Sequence, residues 1–184
     1  MNGLISILPP FFREEVLYFW DLLSERFGVD RVKLTGTPHI TWNYAERYLL
    51  DDPQAFCRSL TRSLRPLRCR TNGLGIFSGK RPVIYIAFMM DAELERFHRR
   101  IWEAIAPVAV TPNKRYHPER WIPHVTLAME DLTLENIGPI TAFLCAYKWK
   151  YAFKIESLSW VTRNRGENMT VEKTFGINTE EASH

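Results

Sequence analysis

Apolar residues along this chain recur with two periods, every second residue in extended segments and every third or fourth in helices. Residues 4–8 read as a short buried strand. Pro9-Pro10 ends it before Val16, Phe19, Trp20, Leu23 and Phe27 recur at helical spacing, and Gly28 closes that helix. Residues 32–43 read as extended. Asp52 then caps a second helix, with Pro53 at its first position and Phe56, Leu60 and Leu64 on one face, until Pro66 stops it. Residues 67–77 and 83–90 form an expected antiparallel pair around the turn-prone segment from Ser78 to Pro82. Asp91 caps a third helix with the stripe Leu94, Phe97, Ile101 and Ile105, and Pro107 lies just past its end. Residues 121–129 are extended. A fourth helical region restarts at Gly138-Pro139 before Ile140, Phe143 and Leu144. Two strands, 151–161 and 169–177, complete the pattern, and 178–184 reads as a loose tail.

The order strand, helix, strand carrying a histidine, helix, strands therefore occurs twice, once before about Met90 and once after it. No linker or shift in composition separates the halves. For 184 residues this predicts one domain over 1–177, built of two related lobes of roughly 1–90 and 91–177 that share a core.

Composition narrows the setting. The formal net charge is +3 and the pI about 8.8. That permits an anionic partner but lacks the dense basic stripe of a dedicated duplex-DNA binder. The cysteines Cys57, Cys69 and Cys145 are odd in number and have no CxxC spacing, which argues against a disulfide framework and a thiolate metal site and favours a reduced, cytoplasmic compartment. The N-terminus lacks the basic and small-residue features of a secretion signal, and the apolar run 83–90 is far too short to span a bilayer. A monomer without an obligate protein partner is expected.

Two of the five histidines sit in matching settings, Thr37-Pro38-His39-Ile40-Thr41-Trp42 and Ile122-Pro123-His124-Val125-Thr126-Leu127. In a strand, His39 and Thr41 point to one face while Ile40 and Trp42 point to the other, and the second motif repeats the alternation. One such histidine would ordinarily be satisfied by a backbone carbonyl and mean little, but packing gives no reason to repeat the same polar pair. The copies lie about half the chain apart, as expected if each lobe supplies one across a cleft. Two imidazoles near neutrality can act as a general base and a general acid, and two hydroxyls can donate to the nonbridging oxygens of a phosphate. Such a set suits phosphodiester cleavage without a metal. His117, Glu119 and His124 are a poor zinc set because Pro118 and Pro123 break their spacing; His98 reads as packing and His184 as tail.

The paired Pro-His-[Ile/Val]-Thr tetrapeptides resemble the twin HxT signatures of the 2H phosphoesterase superfamily, which includes 2′-5′ RNA ligase-like proteins and cyclic nucleotide phosphodiesterases. Leu74-Gly75-Ile76-Phe77, Tyr116-His117-Pro118 leading into Trp121, and Ile155 to Val161 follow the same course, so the resemblance covers nearly the whole chain. It implies an α+β fold of two pseudo-symmetric lobes, antiparallel sheets lining a central cleft and helices outside. It also implies His39, Thr41, His124 and Thr126 as the catalytic set. Trp42, where many members carry a smaller aliphatic residue, reads as core filler. The implied activity, with no cofactor, is cleavage of 2′,3′-cyclic phosphates of RNA ends or nucleotides to a 2′-phosphate, or of 2′-5′ phosphodiesters. Ligase-like joining and a non-catalytic RNA-end binding module are the alternatives. Phe77, Tyr116 and Trp121 flank the expected cleft, either as platforms on which a base stacks, worth about 1 to 3 kcal/mol each, or as packing. Arg163 is the best-placed phosphate contact, ahead of Lys80, Arg81 and Arg165 in turns or near strand ends.

Overall fold

The computed structural model describes residues 2–164 and 167–178; Arg165 and residues 179–184, with all of the expected tail beyond Asn178, lie outside them. The chain runs β1 (Asn2–Ile7), α1 (Pro10–Phe27), β2 (His39–Tyr48), α2 (Pro53–Ser63), β3 (Leu67–Phe77), β4 (Val83–Phe88), α3 (Ala92–Ile105), β5 (Ala109–Pro112), β6 (His124–Met129), α4 (Ile137–Cys145), β7 (Ala152–Ile155), β8 (Ser157–Thr162) and β9 (Thr170–Gly176). Helices α1 and α3 begin and end where the sequence places them, whereas α2 stops at Ser63, leaving Leu64 extended at its end, and α4 begins at Ile137, just before the expected Gly138-Pro139. Asp52 Oδ1 accepts from the amides of Gln54 and Ala55, Asp91 Oδ1 from those of Glu93 and Leu94, and Gly28 ends α1 at φ 66°, a conformation its missing Cβ permits.

Two antiparallel sheets carry the fold, ordered β5-β2-β1-β8-β9 and β6-β4-β3-β7. The α+β class and the sheets of the expected fold are present. The division at about residue 90 does not follow the sheets, because each sheet takes strands from both halves of the sequence. The first half gives β1 and β2 to one sheet and β3 and β4 to the other, and in the second half the expected single strand 151–161 is itself two, parting at Glu156 into β7 in one sheet and β8 in the other. Residues 31–35 form a short helical turn rather than the start of an extended segment, and β5 has no counterpart among the expected elements.

Helix α1 buries Phe12, Val16, Phe19, Trp20 and Leu23 and packs on β6, while α2 covers β8 and β9 and α3 meets β3 and β2. One continuous apolar cluster joins both sheets, with Leu4, Ile40 and Trp42 of the first and Ile84, Ile86, Val125 and Leu127 of the second fully buried. The inward side chains of the two histidine motifs, Ile40 and Trp42 and then Val125 and Leu127, are thus anchors, as the alternation requires. Trp42 fills the core and donates its indole N–H to Ser6 Oγ at 2.8 Å. Among the described residues no helix is long and apolar enough to cross a membrane.

Candidate active site

Each sheet presents one histidine motif. His39 and Thr41 stand on β2, His124 and Thr126 on β6, and the two strands are in contact, so all four side chains line one cleft of about 580 Å³. Both imidazoles are held the same way. His39 Nδ1 lies 2.6 Å from the carbonyl of Thr37, and His124 Nδ1 2.6 Å from that of Ile122. A carbonyl can only accept, so each ring donates from Nδ1, which leaves Nε2 as the nitrogen available to a ligand. Each carbonyl bond thus fixes the tautomer of its ring.

Burial, against the bond to the Thr37 carbonyl and with a smaller contribution from the neighbouring His124, brings His39 down to about 4; burial also holds His124 below the ordinary imidazole value. Both rings are therefore neutral at pH 7 in the free protein. His98 is lowered by burial too, but it stands in the core rather than in the cleft. It is buried against Trp121, ring centroids 3.8 Å apart and nearly parallel, donates to the Trp42 carbonyl at 3.2 Å, and burial lowers it to about 4. It is the packing residue the sequence suggests.

These shifts have a stability consequence. In the unfolded chain each ring titrates near 6.5, so above that pH both states hold neutral histidines. Between pH 6.5 and about 4 the unfolded chain takes up protons that the folded rings of His39 and His98 refuse. The fold should lose about 1.4 kcal/mol per pH unit for each group over that window. Urea midpoints at pH 7 and 4.5 test this: the midpoint falls in acid, and His98→Asn makes the fall shallower. Equal slopes for variant and wild type would contradict the argument.

A β-bulge follows each motif. On β2 the register shifts between Leu4 opposite Asn43 and Ile5 opposite Thr41; on β6 it shifts between Ile84 opposite Ala128 and Tyr85 opposite Thr126. The extra residue turns the next cleft position from Asn43 to Tyr44 and from Ala128 to Met129. Asn43 is fully buried instead, accepting from the Tyr48 hydroxyl at 2.6 Å. Each sheet also lays a tyrosine ring over a glycine of the neighbouring strand, Tyr44 over Gly3 and Tyr85 over Gly75, where any Cβ would collide with the ring.

The walls differ in chemistry. Beside His124, Phe77 is half-buried, stacks on Tyr85 at 4.2 Å and meets the imidazole edge-on at 5.0 Å. Beside His39, Tyr44 meets Tyr116 at 5.9 Å and donates to Met169 Sδ at 3.0 Å. Arg81, Lys114, Arg115, Arg120 and Arg163 line the cleft, and no carboxylate does so among the described residues. Arg163 is half-buried, with Nη2 4.0 Å from Glu130 and Nε donating to the Glu167 carbonyl at 3.3 Å.

The four motif residues, Phe77, Tyr116, Trp121 and Arg163 thus line the cleft, but Trp121 needs correction as a stacking platform. It is 5% exposed, one face is covered by His98, and Trp42 packs beside it, so no ring face is open to a base. Its indole N–H donates to the Thr41 carbonyl at 3.0 Å. Lys80 is exposed and is not among the lining residues. Sequence reasoning missed Tyr44, Met129, Met169 and the cations around Tyr116; only the basic Lys114-Arg115 beside that tyrosine offered a signal.

The model of the 2′-5′ RNA ligase superfamily matches residues 12–167, most of the chain and both histidine motifs. The chain belongs to this superfamily. Solved structures agree in fold. TT0787 of Thermus thermophilus superposes with a TM-score of 0.57 at 18% identity, covering 98% of this chain and 99% of its own. E. coli LigT, solved in complex with 3′-AMP, gives 0.58 at 16% identity, covering 97% and 98%. No curated protein matches the sequence. Members of the 2′-5′ RNA ligase superfamily are generally phosphoesterases or ligases, and the bilobal α+β fold is theirs.

Proposed function

We propose that this protein is a metal-independent phosphoesterase that opens 2′,3′-cyclic phosphates at RNA ends or on nucleotides, with His39 and His124 as the acid-base pair. The observation that carries the reading is the repeated geometry: two imidazoles locked in one tautomer, a threonine hydroxyl beside each, facing a shared cationic cleft. One neutral imidazole takes a proton from water as its oxygen attacks phosphorus. The other, protonated, gives its proton to the departing 3′ oxygen, so the P–O3′ bond breaks and the phosphate stays on O2′. Thr41 and Thr126 donate to the nonbridging oxygens as charge builds on them. With a 5′-hydroxyl in place of water, the same transfers join two strands through a 2′-5′ bond.

Turnover of 2′,3′-cyclic nucleotides and of short RNAs ending in a cyclic phosphate, in EDTA, tests the proposal. A 2′-phosphate product that forms in the chelator supports it; binding of the whole panel with no turnover would replace it with an RNA-end binding module.

The five cations favour a strand end over a mononucleotide, since a longer substrate brings further phosphates to them. Lys114→Glu with Arg115→Glu should raise KM for a cyclic-phosphate trinucleotide on the order of tenfold and hardly change it for the mononucleotide, with wild-type KM for the trinucleotide rising steeply with salt. Equal effects on both substrates would assign the phosphate contacts to the reacting group alone.

A further inference from the structure

The two motif threonines share a feature of their backbones. The carbonyl of Thr41 accepts from the Trp121 indole at 3.0 Å, and the carbonyl of Thr126 accepts from the Trp20 indole at 3.1 Å. Topology explains why such donors are needed. β6 is the edge of its sheet, and on the outer side of β2 the pairing with β5 begins only at Ala45, beyond the motif. At both threonines a carbonyl turned away from the paired strand has no ladder partner, and a buried carbonyl left unpaired costs about 1 to 3 kcal/mol. An indole N–H meets each of them.

The two indoles also connect the sheets. Trp121 precedes His124 of the second motif by three residues, yet bonds the first motif. Trp20 lies on α1, which follows β1 of the five-stranded sheet, yet bonds β6 of the other. Each therefore ties one motif to a segment that leads into or out of the opposite sheet. Both residues border the cleft, but at 2% and 5% exposure they present little surface to a ligand.

We infer that Trp20 and Trp121 are paired positioning residues that set the separation of the two histidine-threonine pairs across the cleft. The inference rests on the reading of those pairs as the active site. It acts through geometry alone: the indole bonds fix where each threonine carbonyl sits, and so where the hydroxyl on the same residue and the imidazole two residues before it point. A misplacement of about 1 Å is enough to cost on the order of 10²-fold in rate.

The test replaces each indole with 3-benzothienylalanine, which keeps the bicyclic shape and puts sulfur where the N–H was. Trp149 is the control, since it is as buried, at 3%, and its N–H bonds the Leu144 carbonyl at 2.8 Å away from the cleft. On a cyclic-phosphate substrate, replacement at 20 or 121 should lower kcat at least tenfold with KM within about threefold, and replacement at 149 should leave both unchanged. Histidine ring titrations by NMR give a readout that does not need turnover. Replacement at 20 or 121 shifts the midpoints of His39 and His124, and replacement at 149 does not. Unchanged midpoints and unchanged kcat at 20 and 121 would overturn the inference while leaving the enzyme reading intact. Shifted midpoints in a protein that turns over nothing would support the positioning and overturn the enzyme reading.

Discussion

Substituting alanine for His39 or for His124 should each remove turnover by on the order of 10² to 10⁴-fold, and the double substitution should cost little more than the worse single one. On the proposed mechanism the two rings act on one transition state, one removing a proton and one delivering a proton, so losing either strands the other. Because each imidazole only borders a cleft that many other side chains also line, binding of a cyclic nucleotide should survive within several-fold. The pH profile carries a second signature. Both rings titrate below the ordinary value, so the protonated acid becomes scarce in the free enzyme as pH rises. The maximum of kcat/KM is therefore expected on the acid side of 6.5, falling about tenfold per unit on the alkaline side, and either single substitution should abolish one limb. Steady-state kinetics of the variants in EDTA decide the matter; full activity in His39→Ala would end the two-histidine reading.

How much of this was legible beforehand divides along physical lines. Properties set by residue type and local spacing read out directly: the caps Asp52 and Asp91, the stop at Gly28, and the alternation that buries Ile40, Trp42, Val125 and Leu127 and turns His39, Thr41, His124 and Thr126 into the cleft. Properties set by strand register did not. Strict alternation from Thr41 puts Asn43 in the cleft, but one bulged residue buries Asn43 and presents Tyr44, and the same happens at Ala128 and Met129. Nothing in an isolated strand marks a bulge, because its cause is the pairing with β1 or β4. Trp121 illustrates a third limit. Its place three residues before His124 suggested the cleft wall, and only the tertiary contacts with His98 and Trp42 decide that its faces are spent in the core and its N–H on Thr41. The four-residue β5 is too short for period to register, and the passage from β7 to β8 at Glu156 is a change of sheet inside a run whose pattern never breaks.

The threonines give the second large effect. Thr41→Val and Thr126→Val exchange a hydroxyl for a methyl on the same branched frame, so strand propensity and volume are retained and the donor alone is lost. If these hydroxyls meet the charge that grows on the nonbridging oxygens, each substitution should lower kcat by about 10² to 10³-fold and raise KM little, because a donor aimed at developing charge matters most in the transition state. Thr→Ser at the same positions keeps the donor and should hold kcat within several-fold. The two sites differ in one respect. Thr41 is only 9% exposed whereas Thr126 is more open, so water can substitute in part for the missing hydroxyl at 126 but hardly at 41, and Thr41→Val should be the more damaging. Measuring kcat for the four variants on one cyclic-phosphate substrate separates the roles. Valine and serine variants of equal activity would mean that the threonines support the strands and leave the phosphate to the cations of the rim.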